Sequence, residues 1–291
     1  MYHILVNAER LKGKLANALN EVKAVFERAG KQFKVHFTNH QGHAREITEE
    51  LSSSGEKCTV ITMGGDGTLH EVINGVKDFE NCQIGLIPLG TGNDFAESAN
   101  IPNDPKRAAE IIAFKAARPI DFIELDNGLR SVNAIGMGID VDVLKRTYAG
   151  KSTGRTKYLK ALISSLIKFK SVNFTVKYDG KEEKHYGLIA ALGNGKQFGG
   201  GIKVFPEAEI DDGYMDLVVV DYLSKFKTVI AFIKLMLGKI HSIKECTHVK
   251  CKQATFIPED KEYTVQAEGE LYENIPFNAK IVPQKLKFYL P

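Results

Sequence analysis

The stretch TVITMGGDGTLHEVINGV, Thr59 to Val76, sets an aspartate among glycines directly behind an apolar run. CTVITM (58–63) has the length and composition of a buried strand. After the glycines, Leu69, Val72, Ile73 and Val76 recur at the spacing of one helix face. The segment is therefore strand, turn, helix. Gly64, Gly65 and Gly67 permit positive φ and close backbone approach, so a bulky hydrogen-bonding group is expected on the turn. The N–H groups that open the helix favour an anion. An acid, Asp66, belongs beside an anion only if a divalent metal lies between them. Nucleotide phosphates with Mg²⁺ meet both conditions.

The rest of the first 120 residues follows the same alternation. Strands are predicted at YHILV (2–6), FKVHF (33–37) and IGLIPL (84–89), and helices at 15–30, around ITEEL, at Asp94–Ala99 and at Pro105–Ala117. That βαβα order with near-continuous apolar strands implies a doubly wound parallel sheet covered by helices on both faces. Ligands of such sheets sit beyond the carboxyl ends of the strands. From about Pro119 the texture changes to alternating runs such as IDFIEL, SVNAIG, VNFTVKY, GLIAALG and MDLVVVDY, with turn signals at Asp126-Asn127-Gly128 and Asp179-Gly180. Helical stretches interrupt them near Lys157–Lys170 and Lys225–Lys239. The expectation is an α/β domain over 1–119 and a mainly antiparallel β domain over 120–283, with a cleft between them.

Composition narrows the function classes. A net charge of +3 does not argue for nucleic acid. Four cysteines form no CxxC pair, and Cys246 and Cys251 flank His248 at a spacing that matches no structural zinc pattern. MYHILVNAER enters a strand without a signal-peptide pattern. TVIAFIKLML (228–237) is broken by Lys234 and too short to span a bilayer. A soluble cytosolic protein is expected.

Two phosphate-binding fingerprints fail. The GKS tripeptide at Gly150–Ser152 has Lys145 where a P-loop needs glycine. Gly136 and Gly138 are followed by Val141 where a dinucleotide fold needs a third glycine. A second glycine turn, PLGTGNDFA (88–96), is more telling. Asn93 and Asp94 there could be mere helix caps, but a cap does not need Gly90, Thr91 and Gly92 ahead of it. Two turns bearing acids on one sheet suggest the two walls of a phosphate site.

GGDGTLHEVINGV, PLGTGNDFA and GNGKQFGGGIKVFPEAEIDDGYMDLVVV (193–220) together resemble the diacylglycerol kinase catalytic family, soluble bacterial lipid kinases similar to sphingosine and ceramide kinases. The resemblance spans essentially the whole chain. GGDGT alone is less specific, being shared with NAD kinases and phosphofructokinases, whose first domain this one would share. The resemblance implies that ATP contacts Asn7, Thr38, Gly64, Gly65, Asp66, Gly67, Thr68, Leu69, His70, Gly90, Thr91, Gly92 and Asn93. It implies catalytic Mg²⁺ on Asp66 and Asp94. A structural Mg²⁺ is implied on the Asp212 carboxylate and the carbonyls of Glu209 and Tyr214, an oxygen-only set that suits a hard cation.

His70 stands where the family has Asn, and the family's late Asp-Gly-Glu becomes Glu268-Gly269-Glu270. Glu270 is the expected proton acceptor, with Glu268 a metal-linked or supporting acid and Asp66 the metal-holding catalytic acid. General-base help of that kind contributes about 10²–10³ in rate. The loop NAERLKGK lacks the proline and early glycine usual after the first strand. By the same resemblance, 284–291 completes the first domain, and the family's frequent dimerisation makes a homodimer one of the options the sequence leaves open.

Charge points to the substrate. Val143 to Tyr178 holds no Asp or Glu but nine Lys or Arg, interleaved with Leu162, Ile163, Leu166, Ile167 and Phe169. Tyr222 to Lys244 is likewise free of acids. Basic residues beside an apolar helix face suit an anionic membrane. The alternative is a core-facing helix with a solvated basic side. The resulting expectation is an ATP-dependent kinase of diacylglycerol or a related lipid, visiting the membrane transiently and binding no nucleic acid. Its rivals are NAD kinase and an impaired nucleotide- or lipid-binding protein.

Overall fold

The computed structural model describes residues 1–8, 13–149 and 155–291, excluding the side chains of Lys14 and of 155–159. Residues 9–12 of the NAERLKGK loop and the Gly150–Ser152 tripeptide lie outside that description. So do the side chains of Lys151, Arg155, Lys157, Tyr158 and Leu159. The chain divides into two compact units, Met1–Phe122 with Pro283–Pro291, and Ile123–Val282.

The first unit runs β1 (Tyr2–Asn7), α1 (Lys14–Arg28), β2 (Phe33–Thr38), α2 (His43–Ser53), β3 (Cys58–Gly64), α3 (Asp66–Gly75), β4 (Cys82–Pro88), α4 (Asp94–Ser98) and α5 (Pro105–Phe114). β5 (Ala117–Leu125) then leads into the second unit. The helix expected to reach Ala117 stops at Phe114, because Lys115 turns to extended backbone. At its start, Asp104 accepts from the Arg107 amide at 2.8 Å and Pro105 fills the first turn. The strands β4, β3, β1 and β2 lie side by side and parallel. Ile4, Leu5, Val6, Val60 and Ile61 are fully buried, as a sheet covered on both faces requires.

The second unit adds β6 (Arg130–Ser131), β7 (Ala134–Gly138), α6 (Ile139–Ala149), α7 (Arg155–Lys168), β8 (Val172–Tyr178), β9 (Lys181–Gly193), β10 (Met215–Asp221), α8 (Lys225–Met236), β11 (Cys246–Cys251), β12 (Gln253–Pro258), β13 (Thr264–Ala267), β14 (Glu270–Glu273) and β15 (Phe277–Tyr289). It is built of antiparallel pairs, with β9 running between β8 on one part and β7 and β10 on another. Alternation along β10 sorts its residues. Met215, Leu217 and Val219 join one core, while Val218 and Val220 join another shared with Ala231 of α8. α7 buries Ala161, Leu162 and Leu166 and leaves Ile163 and Ile167 exposed.

β15 belongs to both units. Its first residues pair antiparallel with β12, and Lys287 and Phe288 pair parallel with Gln83 and Ile84 of β4. Leu286, Phe288 and Leu290 are buried there. No described helix is long and apolar enough to cross a membrane.

Candidate active site

Parallel register sets the ends of four strands in line. Asn7 is opposite Thr38, Val6 opposite Met63, and Gly64 opposite Pro88. The Ala8 amide donates to Thr38 O at 2.9 Å, so the β1 and β2 ends stay joined. Asn7, Thr38 and both glycine turns therefore share the carboxyl edge of this sheet.

The two turns touch backbone to backbone. A Cβ on Gly90 would lie 2.5 Å from Gly65 Cα, and one on Gly65 would lie 2.9 Å from Gly90 Cα. Leu89 N donates to Gly64 O at 2.8 Å and closes the pair. None of Gly64, Gly65, Gly90 and Gly92 takes a positive φ. Close approach, and not left-handed backbone, is what these positions need glycine for. Asn93 does not act as a side-chain cap. Sitting at φ 54°, it accepts from Gly90 N at 2.9 Å and donates to Gly90 O at 3.2 Å, so it locks its own turn.

Asp66 and Asp94 come together around Gly92. A Cβ on Gly92 would lie 3.1 Å from Asp66 Oδ2 and 3.5 Å from Asp94 Oδ2. Asp66 Oδ1 accepts from the Phe95 amide at 3.3 Å, which aims the carboxylate. Two hard oxygens beside a space kept open by glycine fit Mg²⁺, which takes one or two carboxylates and completes its shell with phosphates and water. Thr68 lies over Gly64, Thr91 is exposed, and Gly67 opens the first turn of α3. Leu69 turns into the core and its amide donates to Gly65 O, leaving it a structural position. His70 is buried beside Asn74, whose amide lies 3.3 Å from Nδ1. Burial above all, with the Arg45 charge, holds its pKa down to about 4. The imidazole is therefore neutral, a donor and acceptor like the Asn it replaces.

In the second unit, β13 and β14 form a hairpin in which Ala267 is opposite Glu270, with Glu268 and Gly269 as its two-residue loop. Their φ values, 53° and 86°, give the doubly left-handed turn that favours Asn-Gly or Asp-Gly. Glu268 is held there by its side chain. Its Oε1 accepts from Ser131 Oγ at 2.5 Å and Asn133 N at 2.7 Å. Glu270, one strand position on, lies near Tyr148. Burial first, then the Glu270 charge, raises the Tyr148 hydroxyl pKa. That hydroxyl donates to Gly269 O at 2.6 Å.

Asp140, at the start of α6, is a buried acid that sequence reasoning missed. Burial pushes its carboxyl up to about 7, against the pull of the Val141 amide and the Gln266 side chain. Gln266 accepts from Gly269 N at 3.1 Å, while both Asp140 carboxylate oxygens are buried without a hydrogen-bond partner.

In the AEIDDGYMD turn the Asp212 carboxylate already has partners. Asp212 Oδ1 accepts from Tyr214 N at 3.0 Å and Oδ2 pairs with the Lys250 ammonium. Burial pulls the Lys250 pKa down, but the Asp212 hydrogen bond and the Asp212, Asp216 and Glu209 charges together raise it.

A family model described as the diacylglycerol kinase catalytic domain matches residues 1–125, and one described as the YegS C-terminal NAD kinase beta sandwich-like domain matches 133–290. The chain belongs to the diacylglycerol kinase catalytic-domain family. Within it, the similar proteins carry the name "Probable lipid kinase YegS-like". The one from Xanthomonas euvesicatoria is 31% identical over 94% of this chain and 91% of its own length. That from Pseudomonas aeruginosa is 31% identical over 90% and 86%. In fold, the chain resembles a diacylglycerol kinase from Bacillus anthracis (TM-score 0.75, 22% identity, covering 100% and 96%). It also resembles an NAD kinase from Archaeoglobus fulgidus in complex with ATP (TM-score 0.52, 13% identity, covering 99% and 93%).

Proposed function

We propose that this lipid kinase transfers the γ-phosphoryl group of ATP to the free hydroxyl of diacylglycerol, giving phosphatidic acid and ADP. The observation that carries the nucleotide half is the Gly65–Gly90 contact, which holds the two turns and the Asp66–Asp94 pair as one surface. Mg²⁺ bound there would neutralise charge on the phosphates as transfer proceeds. Asp66 and Asp94 would hold the ion through their carboxylate oxygens, and the backbone of both turns would orient the phosphates. Glu270 takes the hydroxyl proton while the lipid oxygen bonds to phosphorus and the bond to the ADP oxygen breaks. Glu268 braces the turn beneath it.

α8 supports contact with the membrane that holds such a lipid. Phe226, Ile230, Ile233 and Leu237 recur at helical spacing and are exposed, Phe226 at 78%. Lys225, Lys227, Lys234 and Lys239 stand in the same acid-free stretch. An apolar face rimmed by lysine suits the headgroup region of an anionic bilayer.

The test is phosphate transfer from labelled ATP with Mg²⁺ to diacylglycerol in anionic vesicles, with Asp66→Ala as control. Labelled phosphatidic acid that disappears in the control supports the assignment. NADP formed from NAD at comparable rates would overturn the lipid reading. Retained ATP binding with no turnover on any lipid would favour a binding protein.

A further inference from the structure

The structure assigns a transition-metal site, of the kind Zn²⁺ occupies, to Glu207, His241 and His248 in the second unit. One ligand atom from each residue lies within 4.8 Å of the other two. Nothing in the lipid-kinase chemistry uses these residues.

Each of the three is carried by backbone anchored in one core. Ile240 and Ile243 are buried on either side of the short helical turn Ile240–Ser242, which leaves His241 outside. Phe205 and Ala208 are buried in the same core and flank Glu207. On β11, His248 is opposite Val218 of β10, with its side chain on the face that Val218 contributes to that core. The His241 and His248 rings therefore meet with centroids 5.1 Å apart. Glu207 Oε1 lies 2.9 Å from His241 Nε2. Two ligands on a tetrahedral zinc at its usual bond lengths are about 3.3 Å apart, so little movement separates this cluster from a coordination shell.

The second observation is Asp216. It lies diagonally across the β10–β11 ladder from His248, on the same face, and its Oδ1 is 2.5 Å from His248 Nε2. Asp216 is 2% exposed. A buried carboxylate that takes Nε2–H fixes the ring and its tautomer and leaves Nδ1 as the ligand nitrogen. That is the outer-shell arrangement metal-bound histidines characteristically have. Two imidazoles and one carboxylate with room for water select Zn²⁺ or a similar ion over Mg²⁺. The flanking cysteines take no part. Cys246 offers no ligand atom to the cluster, and Cys251 belongs to the opposite core.

The other histidine cluster is His40, His43 and Glu46. His43 Nδ1 accepts from the Asn39 amide there, with no buried acid to orient either ring. It serves as the internal control.

The experiment titrates Co²⁺ into the metal-stripped full-length protein without nucleotide, in millimolar Mg²⁺ to occupy oxygen sites. The expected result is one ion per chain with visible absorption of tetrahedral type, displaced by Zn²⁺. Glu207→Ala and His241→Ala, both at exposed positions, should abolish the band, and Asp216→Asn should weaken binding by about 10–100-fold. Absence of Co²⁺ or Zn²⁺ binding at micromolar concentrations would overturn the assignment. So would unchanged affinity in the Glu207→Ala/His241→Ala double variant, or a band lost only in His43→Ala.

Discussion

Ser131 donates a 2.5 Å hydrogen bond to Glu268 across 137 residues of sequence. Glutamate is a poor choice for the left-handed first position of a two-residue hairpin, where Asp or Asn is favoured. Its longer side chain reaches Ser131 and the Asn133 amide, and those bonds offset the backbone strain. Ser131→Ala should therefore cost about 1.5–3 kcal/mol, the range for a hydrogen bond to a charged group, in urea unfolding. ATP affinity should not change. An unaltered unfolding midpoint would show that the turn does not depend on this bond.

Glu270→Gln separates proton transfer from binding. It should lower kcat by about 10²–10³ with the KM for ATP unchanged, because only general-base help is removed. Glu268→Gln keeps the side chain's length and one acceptor oxygen, and should retain most activity. A reversed ranking in a steady-state assay would exchange the roles of the two glutamates.

The glycine turns make a graded prediction. Gly90→Ala puts a Cβ against Gly65 backbone, which cannot rotate away, and overpacking of that kind costs about 1–3 kcal/mol. Gly92→Ala meets only carboxylate oxygens. It should fold normally and raise the Mg²⁺ concentration needed for half-maximal activity at least tenfold. Equal Mg²⁺ dependence in Gly92→Ala and the parent would remove Asp66 and Asp94 from the metal assignment.

Asp140 gives a pH dependence with a definite sign. Its folded pKa, about 7, lies above the ordinary carboxyl value of 3.8. The fold prefers the protonated acid, so its contribution is fully present below about pH 4 and is lost as pH rises through 7. Asp140→Asn keeps the shape without the charge. It should be more stable than the parent by roughly 2–4 kcal/mol at pH 8, with the difference shrinking toward pH 4. Thermal unfolding across that range measures it, and a pH-independent difference would contradict the assignment.

The apolar face of α8 can be tested without touching the chemistry. Ile233→Glu, at an exposed position, should leave the melting temperature unchanged and lower partitioning onto anionic vesicles at least tenfold. Unaltered flotation would assign that face to something other than a bilayer.

Both glycine turns and the parallel sheet were legible because their signals are local: apolar runs, glycine spacing and one helix face. The contact of Gly65 with Gly90 was not, since it follows from the register of β3 against β4. Of the two reasons for glycine read from the sequence, close backbone approach is the one that Gly65 and Gly90 use. α6 stayed hidden because IDVDV alternates like a strand, and Asp140 was hidden with it. Lys250 meets Asp212 across 38 residues, and no spacing rule connects them. Cys246 and Cys251 drew attention to His248, while the groups that meet its ring come from Glu207, His241 and Asp216, scattered over three elements.

β15 imposes an order on synthesis. The sheet of the first unit lacks its β4 neighbour until Lys287 and Phe288 exist, and Tyr289 bonds Gln83 across 206 residues. A ribosome must therefore translate all of the second unit before the first can seal its core. The first unit, begun earliest, is the last to close, and its open β4 edge is what a nascent-chain chaperone would find.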